Sequence, residues 1–95
     1  MNKEIRAKRI EFAKGLCEIC KKPAVTVHHI FLGRKQRNTS ERIETVRAVC
    51  AECHAYIHGS KGYELLKWLQ VQACNELIEN IGEDETRKIL GKIYF

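Results

Sequence analysis

The chain has 95 residues, a formal net charge of +5 and 44% apolar residues, enough for one small domain that draws part of its stability from a metal or cross-links. No apolar run approaches membrane-spanning length, and the charges scattered through residues 1–14 leave no secretory h-region, which predicts a cytoplasmic chain with no membrane partner. Residues 1–14 and 15–60 each carry a net +3 and residues 61–95 a net −1, so the basic excess of the first two-thirds suits a polyanionic partner such as nucleic acid.

In chain order, residues 3–14 ("KEIRAKRIEFAK") read as a basic helix with Ile5 and Phe12 as a thin apolar stripe, ended by Gly15. Cys17-Glu18-Ile19-Cys20 follows, and Lys21-Lys22-Pro23 is a turn. Ala24 to Ile30 ("AVTVHHI") is β-branched enough for a strand. Residues 33–42 ("GRKQRNTSER") form a polar, basic loop, and a second short strand from Val46 to Val49 leads into Cys50-Ala51-Glu52-Cys53. From Ala51 to His58 the pattern is helical, stopped by Gly59-Ser60-Lys61-Gly62. A long helix from Tyr63 to Asn80 repeats Leu65, Leu69, Ala73, Leu77 and Ile81 at four-residue spacing, with Leu66, Trp68, Cys74 and Ile78 broadening the buried face. Gly82 closes it, and Glu83-Asp84-Glu85 suits the first turn of a last short helix reaching Tyr94. Nothing separates two domains. The long stripe packs against the rest of the domain, and a homodimer contact along it is compatible with the same pattern.

Cys17-x-x-Cys20 and Cys50-x-x-Cys53 are two knuckles, each presenting two thiolates to one ion. Four sulfurs in tetrahedral geometry make a closed, structural Zn²⁺ site. The 29 residues between the knuckles exceed common zinc-ribbon spacing, so the interval holds its own structure, and a strand–loop–strand hairpin fits. Cys74, on the apolar face of the long helix, reads as a small core hydrophobe.

All four histidines fall between His28 and His58. His54 and His58 are four apart on a predicted helix, so they share a face and can chelate one ion. His28 and His29 are neighbours on a strand and point to opposite sides of it, so one can be a ligand while the other meets a substrate. A finger with two cysteines and two histidines is excluded, because the interval from Cys20 to His54 is too long and Cys50 and Cys53 would be stranded. The imidazoles therefore form a second constellation, and three of them around one metal leave an open position for chemistry.

Val27-His28-His29-Ile30, a basic loop, a short strand, Cys50-x-x-Cys53-His54 and x-x-x-His58 resemble the HNH endonucleases, the ββα-metal or His-Me finger nucleases. The double histidine and the His-x-x-x-His helix look most like the histidine-rich variety of colicin-type DNases. The cysteine knuckles resemble the zinc-bound HNH proteins of bacteria and their phages. The likeness runs from about Cys17 to His58. It implies an α+β fold: a single domain over residues 1–95, in which a zinc-stapled ββα-metal finger (residues 17–58) is flanked by the N-terminal helix and by a helical extension over residues 63–95. Position by position, it implies that His29 is the general base and that His28, His54 and His58 hold one divalent ion. Cleavage would leave 5′-phosphate and 3′-hydroxyl ends. The family's central Asn orients the base, and the matching position, nine residues before His54, is Thr45. Threonine there changes the hydrogen bonds available to hold His29. Three imidazoles favour Zn²⁺, Ni²⁺, Co²⁺ or Mn²⁺ over the oxygen-preferring Mg²⁺.

Arg34, Lys35, Arg37, Arg42 and Arg47 lie in or beside the loop that such a fold sets near the metal, and Lys3, Arg6, Lys8, Arg9 and Lys14 add to the basic surface. Contacts of this kind go to DNA phosphates, with salt-sensitive affinity and little sequence preference. The expectation is a metal-dependent DNA endonuclease. The alternative is a non-catalytic, zinc-stabilised DNA-binding or scaffold protein, which would have no need of His29.

Overall fold

The computed structural model describes residues 3–31 and 42–95. Arg34, Lys35 and Arg37 lie outside the described residues. What is described is a small α+β unit: helix α1 (Lys3–Phe12), strands β1 (Thr26–His29) and β2 (Val46–Val49), and helices α2 (Ala51–His58), α3 (Tyr63–Ile81) and α4 (Glu83–Leu90). Single 3-10 turns, Ile43–Thr45 and Ser60–Gly62, precede β2 and α3.

The N-terminal helix stops two residues earlier than its charge pattern predicts. Lys14 and Gly15 both take left-handed backbone, at φ 58° and 75°, a conformation that ends helices. The first cysteine knuckle then folds back on itself. The Cys17 N–H donates to the Lys22 carbonyl at 2.6 Å and the Lys21 N–H to the Cys17 carbonyl at 3.0 Å.

β1 and β2 are antiparallel, with Thr26 opposite Val49, Val27 opposite Ala48, His28 opposite Arg47 and His29 opposite Val46. Two strands alone are marginal in water, so the pair is held from outside. All four residues of β2 are buried, and α1 and α3 both pack around its start, α1 on the strand and α3 on the turn before it.

The core gathers Ile30, Phe31, Val49, Ile57, Leu69, Ala73, Cys74, Leu77 and Leu90. Helix α3 supplies the middle of it through Leu69, Ala73 and Leu77, one residue per turn on one face. Cys74 is fully buried, as expected of a small core hydrophobe, and accepts a hydrogen bond from the Tyr94 N–H at 3.4 Å. Two apolar expectations are corrected. Trp68 is 53% exposed and Phe12 62% exposed. Trp68 directly precedes Leu69, and one step around a helix turns a side chain by roughly 100° off the buried line. α1 docks through its Arg9 guanidinium, with Phe12 lying 4.5 Å from that group on the outside. No helix among the described residues is long and apolar enough to cross a membrane.

Candidate metal centres

The thiolate centre begins with local backbone geometry. The turn after α1 buries Cys17 and leaves Cys20 at the surface. The end of β2 delivers Cys50 as the N-cap of α2, where its sulfur accepts the Cys53 N–H at 3.4 Å. The four sulfurs of Cys17, Cys20, Cys50 and Cys53 all lie within 4.8 Å of one another, and Cys20 and Cys50 approach to 3.5 Å. A tetrahedral zinc with bonds of about 2.3 Å sets sulfurs about 3.8 Å apart, so the donor set fits such an ion.

The thiols of the cluster shift in opposite directions. Burial pushes the Cys17 thiol up, but N–H groups from Cys20, Cys50 and Ile19 outweigh it and bring it down to about 6. Cys53 is driven up instead, first by burial and then by the neighbouring thiols of Cys20, Cys50 and Cys17. Four thiols this close cannot all ionise without a cation among them. The four cysteines form a donor set that could hold a metal ion.

The imidazole centre is built by the same helix. Cys53 and His54 are consecutive on α2 and diverge by roughly 100°, so one turn of helix serves two centres that face different ways. His58 follows one turn later on the His54 face, and the two Nε2 atoms stand 3.2 Å apart. β1 brings in His28, only 6% exposed. Its ring centroid lies 5.1 Å from that of His54 and 4.7 Å from that of His58, and His54 and His58 are 4.7 Å apart. The three rings meet edge to face at 68°, 86° and 82°. One nitrogen from each lies within 4.8 Å of the others. Metal–nitrogen bonds of about 2.0–2.1 Å at tetrahedral angles place nitrogens about 3.3 Å apart, close to the His54–His58 spacing. Three neutral donors leave room for a further ligand on any bound ion, unlike the closed sulfur set.

Compared with known proteins, the chain matches no family model and no curated sequence.

His29 ends β1 opposite Val46, half-buried and outside the imidazole triad. Strand alternation sends its ring to the face opposite His28. Thr45 is 2% exposed; its hydroxyl accepts the Arg42 N–H at 3.1 Å and donates to the Arg42 carbonyl at 2.9 Å, closing the turn before β2. Arg42 reaches Glu44 at 3.1 Å and keeps 40% of its side chain exposed.

Arg47 does not belong to a nucleic-acid surface. It is 2% exposed and donates to the carbonyls of Glu44 and Val46 at 3.0 and 2.9 Å and to the Glu76 carboxylate at 3.1 Å. Arg9, also 2% exposed, is likewise withdrawn: its guanidinium grips both oxygens of Glu18 and reaches the Ile43 carbonyl and Glu76. Burial and the charge of Arg9 hold Arg47 below the usual arginine range. Burial also works against Arg9, but its bonds to Glu18 and Glu76 carry it above that range. The network ties α1, the first knuckle, β2 and α3 together. Periodicity gives no sign of it, since Glu76 stands 29 residues from Arg47 and 67 from Arg9. Lys3, Arg6, Lys8 and Lys14 are exposed, and Lys8 pairs with Glu4 at 3.0 Å.

Proposed function

We propose that this chain is a metal-dependent DNA endonuclease of the ββα-metal, or HNH, kind. The observation that carries the reading is the convergence of His28 from β1 with His54 and His58 from α2, while His29 leaves the same strand on its other face. A structural Zn²⁺ would sit among the four cysteines, and Zn²⁺, Ni²⁺ or Mn²⁺ among the three imidazoles, with Mg²⁺ the weaker fit. When bound, the second ion supplies a Lewis acid that offsets charge growing on a phosphodiester oxygen. The protein's part is to hold that ion with His28, His54 and His58 and to take a proton, at a ring nitrogen of His29, from the attacking water. Exposed Lys3, Arg6 and Lys14 and half-exposed Arg42 offer contacts to DNA phosphates, so affinity would fall with salt and vary little with sequence.

A plasmid-nicking assay with added Ni²⁺, Mn²⁺, Zn²⁺ or Mg²⁺ tests the reading. Wild type should nick, and His29→Ala should lose about 10²-fold or more while keeping its bound metal. The second reading, a non-catalytic zinc-stabilised DNA-binding or scaffold protein, draws on Thr45. Its short side chain is tied into its own turn rather than offering an amide to the base. Wild type and His29→Ala equally inert with every metal would decide for that reading.

A further inference from the structure

Within the sulfur cluster only Cys20 lies at the surface; Cys17 and Cys50 are buried and Cys53 is half-buried. A sulfur of the opposite knuckle stands close to it. The Cys20 and Cys50 sulfurs are 3.5 Å apart, although the residues are 30 positions apart in the chain. Cys50 is also the N-cap of α2, the helix that carries His54 and His58. The fifth cysteine, Cys74, is fully buried on α3 and lies outside the cluster. An oxidant arriving from solvent therefore meets Cys20 first, with a second sulfur already in place to resolve the oxidised form.

We propose that Cys20 and Cys50 are a redox pair, which hydrogen peroxide joins in a disulfide that gives up the structural ion yet keeps the two knuckles fastened. The release of an ion rests on the Zn²⁺ reading of the cluster, and the choice of pair rests on the geometry alone. The Cys20 thiolate attacks one peroxide oxygen and the O–O bond breaks, leaving a sulfenic acid and hydroxide. The Cys50 thiolate then attacks the Cys20 sulfur; the S–S bond forms, the S–O bond breaks and a second hydroxide departs. Two protons from solvent convert both hydroxides to water. The sulfurs together lose two electrons and the peroxide gains them. Closing from 3.5 Å to a disulfide's length of about 2.05 Å needs a shift of about 1.5 Å. That shift falls to the surface turn bearing Cys20, since Cys50 is fixed at a helix end. Two of the four donors are then spent, too few for a closed tetrahedral site, so bound Zn²⁺ is released. A bond within either knuckle would leave residues 17–20 and 50–53 unjoined. The Cys20–Cys50 bond instead keeps closed the loop that holds β1 and β2, and the histidines stay assembled.

The test uses the full chain reconstituted with Zn²⁺ and then treated with hydrogen peroxide. A chelating dye counts the zinc released. Remaining thiols are alkylated and the protein is digested with trypsin and Glu-C for mass spectrometry; cleavage after Glu18 and after Glu52 separates all four cysteines. The expected result is zinc release in step with a Cys20–Cys50 linkage inside a monomeric chain, with Cys74 alkylated. The oxidised chain should still melt cooperatively in the presence of chelator. Dithiothreitol with chelator should abolish that melt, and dithiothreitol with Zn²⁺ should restore it. Cys20→Ser should slow zinc release about 10-fold, while Cys74→Ser leaves it unchanged. If Cys20→Ser does not hold zinc, the linkage map of the wild type decides alone. Any other pairing as the first linkage, a Cys20–Cys50 bond formed only between chains, or an oxidised chain without a cooperative melt overturns the proposal. If the chain takes up no Zn²⁺, the structural-ion reading fails, and the linkage map and the melt then decide the pair by themselves.

Discussion

Glu44 keeps its carboxylate almost entirely out of solvent, with 5% of the side chain exposed, in the turn that leads into β2. Burial by itself pushes such a group up. Here the Asn80 amide at 2.9 Å and the Arg42 guanidinium at 3.1 Å outweigh it, and the net effect holds Glu44 below its ordinary value of 4.5. The folded carboxyl thus binds a proton less readily than the unfolded one. Its stabilisation is complete above the ordinary glutamate value and is withdrawn as the pH falls through the lower folded value. Glu44→Gln should therefore cost about 1–2 kcal/mol at pH 7, measured by urea unfolding, and the gap from wild type should close in acid. Working with the difference between the two proteins cancels any loss of metal that acid causes in both. A gap that stayed constant from pH 7 to pH 3 would mean that Glu44 is not held as an anion. The same turn shows why residue types mislead at this scale. Arg42 and Arg47 are equally basic in sequence, yet one is half-exposed and the other is sealed in by Glu76 and two carbonyls.

At the scale of elements, α2 carries both candidate centres and is too short to be stable alone, at eight residues. It is held by Cys50 at its N-cap, by Ile57 in the core, and by the chain returning beneath its last turn. That return depends on Gly62. A Cβ there would lie 2.1 Å from the Tyr56 carbonyl oxygen and 2.7 Å from the Ile57 Cα, both backbone atoms that can move only with the helix. Gly62→Ala should cost about 2 kcal/mol and tilt α2 so that His54 and His58 draw away from His28. Cobalt titration would read this as weaker binding at the imidazoles while the thiolate charge-transfer band persists. Gly59→Ala is the control, since its Cβ would meet nothing closer than 3.4 Å, and it should stay within about 0.5 kcal/mol of wild type. Unchanged cobalt binding in Gly62→Ala would rule out this coupling. These elements were largely legible in the sequence because local rules govern them. Four-residue apolar spacing marks α3, β-branched runs mark the strands, and Gly59 and Gly82 mark the stops. Strand alternation and helical repeat set one of His28 and His29 with His54 and His58, but left open which; only the family resemblance implied His28. What was not legible depends on contacts between distant residues. The burial of Arg9 and Arg47 needs Glu18 and Glu76, the bond of Gln70 to Ile30 spans two elements, and nothing local to either sequence position announces them.

For the whole molecule, the two candidate centres are unequal in what they hold together. The sulfurs join residues 17–20 to residues 50–53, so an ion there would close the loop that contains β1 and β2 and would anchor the N-terminus of α2. The imidazoles join β1 to α2, which the hairpin and the helix cap already bring together. In a chain this small, the core alone leaves little margin, and a structural metal contributes folding free energy directly. The dependence should therefore run in one direction. Cys53→Ala should remove the thiolate-bound metal, abolish a cooperative melt followed by circular dichroism, and release the imidazole-bound metal as well, because the ligands are no longer assembled. His58→Ala should remove only the second metal and leave the melt cooperative and within a few degrees of wild type, since the exposed His58 ring adds little to the core. Metal equivalents per chain, counted by a colorimetric chelator before and after thiol modification, give the stoichiometry behind each melt. The opposite order, with His58→Ala unfolding the chain and Cys53→Ala leaving it intact, would mean that the imidazoles are the staple and the cysteines are incidental. The geometry argues against that order, because the sulfurs close a span of 29 residues between the two knuckles, while the imidazoles join β1 to a helix that its partner strand already leads into.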